Sequence, residues 1–167
     1  MSVEEGQAFF HCQYCGGYDF PEPNQDGVSL LDEVTSFACP TCGELLVLAI
    51  IMDISIFSCP KCRGNLIKQS RLLPILREAK PQDPGNANSR DIQDKSEFTR
   101  NAACPSCHNT MAVYPYGGPG NIIIQGCEQC KVIWLDFGEL SRIVRAYREM
   151  YNDSPEERGA KKQWISF

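Results

Sequence analysis

All ten cysteines of this 167-residue chain fall into five Cys-x-x-Cys pairs: Cys12/Cys15, Cys39/Cys42, Cys59/Cys62, Cys104/Cys107 and Cys127/Cys130. None is left over. Two intervening residues let the backbone turn so that both sulfurs face one point, which is half of a tetrahedral four-thiolate zinc site. A second pair roughly 15–20 residues later completes the set. Two separations have that length: 16 residues lie between Cys42 and Cys59, and 19 between Cys107 and Cys127. The opening Met1-Ser2-Val3-Glu4-Glu5 is acidic and lacks the basic-then-apolar order of a secretory leader, so a cytoplasmic chain is expected. Thiols stay reduced there, which disfavours a disulfide framework and favours metal.

An internal repeat selects the pairing. Cys39-Pro40-Thr41-Cys42 matches Cys104-Pro105-Ser106-Cys107, and Cys59 to Leu66 matches Cys127 to Trp134. Between the knuckles the chain reads as strands. Leu45 to Ile51 and Ile54 to Phe57 form an apolar hairpin turning at Met52-Asp53, while Met111 to Tyr114 and Asn121 to Gln125 flank the turn-rich Pro115 to Gly120. The expected fold class is small, metal-stabilised and β-rich (α+β). It holds two tandem units, each a β-hairpin with two Cys-x-x-Cys knuckles followed by a short helix. Units of this size bury too little apolar surface to fold alone, so metal is their staple.

The run Cys104-Pro-x-Cys107, a variable hairpin, then Cys127-x-x-Cys130-x-x-x-Trp134-Leu135-Asp136-x-Gly138-Glu139-Leu140 resembles the transcription-factor-IIB-type zinc-ribbon (zinc-finger) family. Residues 39–67 look like a degenerate copy without the Trp-Leu-Asp-x-Gly-Glu-Leu ending. The resemblance implies structural zinc on Cys39, Cys42, Cys59, Cys62, Cys104, Cys107, Cys127 and Cys130, two ions per chain. The family name points to transcription, but a shared fold says little about biological role.

Asp136 and Glu139 stand three apart, as in a capping box, and would serve free amides at a helix start. Leu140, Ile143, Val144 and Tyr147 recur at helical spacing, and Asn152 to Pro155 ends that helix. Trp134 and Leu135 are expected to seal the ribbon against it. Leu72, Leu73, Ile75 and Leu76 suggest a second short helix interrupted or started near Pro74. The organisation is then an N-terminal extension (1–38), ribbon 1 with its helix (39–79), a flexible polar linker (80–101), ribbon 2 with its helix (102–152) and a tail (153–167). The linker makes the two units separable. The tail closes on Trp164-Ile165-Ser166-Phe167, which docks on the body or binds a partner.

Cys12 and Cys15 are the odd pair. The 23 residues from Cys15 to Cys39 would also allow a ribbon of Cys12, Cys15, Cys39 and Cys42, leaving Cys59/Cys62 over. The repeat favours the other pairing. The spare pair then binds a third zinc with His11 or a carboxylate, shares one across a dimer, or is a relic knuckle. Thioredoxin-like redox chemistry expects a βαβ setting that this sequence does not suggest. Cys104-Pro-Ser-Cys107-His108 formally matches a haem-attachment pattern, but the repeat accounts for the same cysteines. Iron in a rubredoxin-like site stays open, because four thiolates bind either metal.

The sequence carries no phosphate-cradling Gly-x-x-x-x-Gly-Lys, no Gly-x-Ser-x-Gly and only two histidines. Catalytic zinc keeps an open position, so filled four-cysteine sites argue for structure and against an enzyme. The longest apolar run, Leu45 to Met52, is too short for a spanning helix. The formal net charge is −5, and two thiolate-zinc centres take it to roughly −9. Residues 1–60 hold nine acidic side chains and no Lys or Arg, whereas Lys61, Arg63, Lys68, Arg71 and Arg77 form a basic stretch without an acid. Nucleic-acid binding needs cationic contacts to phosphate, so net charge disfavours it, leaving that basic stretch and Arg142, Arg145 and Arg148 as local footprints. The reading is a cytoplasmic, non-enzymatic zinc protein that presents its ribbons to a protein partner. A nucleic-acid-binding or transcription-associated factor is the rival, and an iron or thiol redox protein the weaker alternative.

Overall fold

The strongest apolar run makes the first hairpin. A computed structural model of the chain describes residues 10–11, 18–19, 21–79, 101–116 and 122–151. Strands β4 (Leu45–Ile51) and β5 (Ile54–Ser58) pair with Ile51 opposite Ile54, leaving Met52-Asp53 as a two-residue loop. Both loop residues have positive φ, 48° and 61°, the geometry whose twist matches that of antiparallel strands. Ahead of β4 lies β3 (Ser29–Ala38), an edge strand in the segment expected as extension. Two register irregularities and the exposed Asp32 and Glu33 mark this edge, features that discourage further strand pairing.

Each unit carries a third strand after its second knuckle, where a helix alone was expected. In ribbon 1 this is β6 (Asn65–Lys68), running into helix α1 (Gln69–Glu78). Pro74 lies inside α1, which continues through it. In ribbon 2 the order is β7 (Ala112–Pro115), β8 (Ile123–Cys127), β9 (Val132–Leu135) and helix α2 (Glu139–Tyr151). A separate two-stranded ladder joins β1 (Phe10–His11) to β2 (Tyr18–Asp19). These strands flank Cys12 and Cys15, which lie outside the described residues. So do most of the expected linker (80–100) and the tail with Trp164 to Phe167.

The two ribbons are not separable units. The two ribbons form one antiparallel sheet in the order β3-β4-β5-β6-β9-β8-β7, joined where β6 pairs with β9. The register sets Leu66 opposite Trp134, the two residues that the sequence repeat equates. An antiparallel pair centred on equivalent residues has a pseudo-two-fold axis through that pair, the arrangement of a self-complementary dimer interface within one chain. The bridge Ala103–Thr110 likewise repeats the pairing Ala38–Leu45.

Strand alternation divides the apolar residues between the faces. On one face Ala49, Ile51, Ile56, Ile67, Ile124, Ile133 and Leu135 pack under both helices, through Leu72, Ile75 and Leu76 of α1 and Leu140, Ile143 and Val144 of α2. The opposite face carries Leu46, Leu66 and Trp134, which pack with the cysteines. Trp134 and Leu135 therefore part company: Leu135 meets the helices, whereas Trp134 meets the knuckles. No helix among the described residues is long and apolar enough to cross a membrane.

Candidate metal centres

The knuckles share a local design. The residue after the second cysteine has a left-handed backbone in all four: Gly43 (φ 77°), Arg63 (62°), His108 (61°) and Lys131 (54°). That turn lets the chain double back. The amides of Gly43, Arg63 and His108 donate to the carbonyls of Cys39, Cys59 and Cys104 at 2.9, 2.9 and 2.8 Å. The amides of the same three cysteines donate to the carbonyls of Glu44, Gly64 and Asn109, closing each loop. His108 thus occupies a turn position that accounts for it without haem.

The sheet brings the knuckles together two by two. Cys39, Cys42, Cys59 and Cys62 form one group, and Cys104, Cys107, Cys127 and Cys130 the other, with the sulfurs of each within 4.8 Å of one another. Sγ–Sγ separations are 3.5 Å for Cys39–Cys62, 3.5 Å for Cys42–Cys59 and 3.6 Å for Cys107–Cys127. A zinc ion with thiolates at about 2.3 Å has tetrahedral sulfur edges of about 3.8 Å, so both groups fit zinc. In each group two cysteines are buried and two partly exposed.

The metal-free thiols are electrostatically unequal. The backbone amide of Glu44 lowers Cys42 to about 7, and that of Cys130 lowers Cys127 to about 7. Burial raises Cys39 and Cys62, and pushes Cys104 up to about 12. Cys130 is raised chiefly by its hydrogen bond with Cys107. Cys42 and Cys127 are thus the more acidic thiols, and a divalent cation must displace protons from the raised ones.

What surrounds the sulfurs was not visible in the knuckle spacing. All eight cysteines belong to one apolar cluster with Leu46, Leu66, Met111, Val132 and Trp134. The Trp134 ring of ribbon 2 lies on Gly64, next to the second knuckle of ribbon 1. A Cβ there would overlap its Cζ2 and stand 2.8 Å from Cη2. Asp136 Oδ1 accepts from Trp134 Nε1 at 2.9 Å and from the Thr41 hydroxyl, inside the first knuckle, at 3.2 Å.

One arm of the expected capping box is in place. Glu139 Oε2 accepts from the Asp136 amide at 2.8 Å, as that motif requires. The amides of Gly138 and Ser141 at the start of α2 donate to Asp26, at 2.9 and 3.0 Å. This carboxylate, on the loop before β3, also faces the Asn65 side-chain amide at 3.5 Å. Asp26 was missed because the two helix amides that it accepts from lie more than a hundred residues away in the chain. Two arginines offered as footprints or basic stretch have structural partners: Arg148 donates to the carbonyls of Ala79 and Glu78 at the end of α1, and Arg71 to that of Ser55.

These features define a pair of four-cysteine ribbons fused into one sheet. Residues 103–146 match the family model described as Transcription factor zinc-finger, the TFIIB-type zinc ribbon. That stretch holds all four cysteines of the second group, and the first group repeats its arrangement. The chain is thus compatible with two zinc ions. Comparison with curated proteins gave no match, and neither did comparison with solved structures.

Proposed function

We propose that this chain is a non-enzymatic zinc protein whose fused ribbons form an interaction surface for another protein. The observation that carries the reading is that each candidate centre offers four cysteine thiols. Such a set fills a tetrahedral ion and leaves no position for water or substrate, so the metal serves structure. A sheet whose metal centres are closed to substrate is suited to an interaction role. Protein is favoured over nucleic acid as partner because the net charge is −5 before metal and Arg148 and Arg71 are engaged by main-chain carbonyls.

Affinity capture of the zinc-loaded full chain from its native cell, with and without nuclease, tests the proposal. A protein recovered in stoichiometric amount and resistant to nuclease supports it. The words Transcription factor in the matched family's description favour the rival reading. Submicromolar binding to generic DNA or RNA at about 150 mM salt, with a steep salt dependence, would overturn the protein-partner reading in favour of that one.

A further inference from the structure

We infer that the two metal centres load zinc as one cooperative unit, with Asp136 of ribbon 2 positioning the first knuckle of ribbon 1. The inference needs zinc at both centres but not the protein-partner reading.

Contacts between the ribbons converge on ribbon 1's knuckles. The Thr41 hydroxyl, between ligands Cys39 and Cys42, donates to Asp136 Oδ1. The same oxygen holds the Trp134 indole, and that ring covers Gly64, two residues after ligand Cys62. Beneath them, β6 and β9 are hydrogen-bonded neighbours, and all eight cysteines share one apolar cluster. Residues 130–136 run from a ligand of the second centre, through β9, to the acceptor that holds the first. Binding energy in a metal-stapled fold is folding energy. Zinc at the second centre therefore orders the strand, ring and carboxylate on which the first centre rests. By linkage, zinc at the first favours the second equally.

The clasp is one-sided. The repeat equates Thr41 with Ser106 and Asp136 with Lys68. Lys68 carries only donors and so offers the Ser106 hydroxyl no acceptor of the kind that Asp136 offers Thr41. Thr41 is thus the position at which the coupling can be altered while every thiol stays in place.

The experiment is native mass spectrometry of the full chain titrated with zinc against a competing chelator, following the zinc-free, one-zinc and two-zinc species. Independent centres place at least half of the chains in the one-zinc species at half loading, whatever their relative affinities. Tenfold coupling between similar centres leaves only about a quarter there. We expect less than half, with the one-zinc share rising for Thr41→Val and staying low for Thr41→Ser, which keeps the hydroxyl. A one-zinc share of half or more in the unaltered chain overturns the inference. A low share that Thr41→Val does not change overturns the role given to Asp136. A chain that takes no zinc overturns the metal reading as well, and the same spectra tell that case apart.

Discussion

Removing the Asp26 carboxylate should destabilise the protein more than removing any group on α2's own first turn. Asp26 is 4% exposed and accepts from two backbone amides, Gly138 at 2.9 Å and Ser141 at 3.0 Å. A hydrogen bond to a charged group is worth about 1.5 kcal/mol or more, so two give about 3 kcal/mol. The negative charge at a helix start adds about 0.5–1 kcal/mol. Asp26→Ala leaves both amides without that acceptor and should cost about 3–4 kcal/mol. Asp26→Asn keeps one oxygen but turns an amide group toward the second donor, so about half that loss is expected. For a domain of this size the alanine variant should melt about 10 °C lower. Urea denaturation of the zinc-saturated full chain measures the loss. A cost below about 1 kcal/mol for Asp26→Ala would refute the claim that this distant carboxylate is the principal cap of α2.

Three further outcomes are expected. Gly64→Ala places a methyl group into the buried Trp134 ring, which its bond to Asp136 holds in place. A cost of about 2–3 kcal/mol is expected by denaturant unfolding, and a neutral result would mean that the ring shifts freely. Met52→Asn with Asp53→Gly installs the residues that the positive-φ hairpin turn prefers and should stabilise by about 0.5–1 kcal/mol, seen as a higher melting temperature. Zinc uptake should release protons and weaken from pH 8 to pH 6, because the raised thiols of Cys62 and Cys104 hold protons that the ion must displace. Calorimetry in two buffers of different ionisation enthalpy reads that release, and equal heats would contradict it.

The parts of the fold written locally were legible in the sequence. Two apolar runs separated by Met52-Asp53 became β4 and β5, and the spacing of Leu140, Ile143 and Val144 became the buried face of α2. The repeat indicated which cysteines would meet. What stayed hidden depends on partners far apart in the chain. β6 and β9 are four residues each, with too little length for a periodic pattern to declare itself, and they are defined by pairing with each other. Asp136 and Glu139 had the spacing of a capping box, yet the Asp136 side chain turned to Thr41 and Trp134 while Asp26 reached in from another loop. Arg148 read as part of a local phosphate footprint because the Ala79 carbonyl that it meets lies at the end of another helix. Local spacing restricts what a side chain can do, and tertiary packing decides which option is used.

The degeneracy of ribbon 1 is best understood as complementarity. Two identical ribbons joined through β6 and β9 would bring two tryptophans together on the pseudo-two-fold axis, where Leu66 now faces Trp134. They would also lack the space that Gly64 gives the Trp134 ring, since the repeat equates Gly64 with the larger Val132. The chain resolves both conflicts by differing on its two sides: leucine opposite tryptophan, and glycine under the ring. A close-packed interior accepts such a pair only when gain on one side is matched by loss on the other. The same asymmetry puts Asp136 where ribbon 1 has Lys68, so a single carboxylate of ribbon 2 ties down ribbon 1's first knuckle. The missing Trp-Leu-Asp ending of ribbon 1 is therefore no mark of decay. It is the space into which the ending of ribbon 2 fits, where the two ribbons share a sheet and a core.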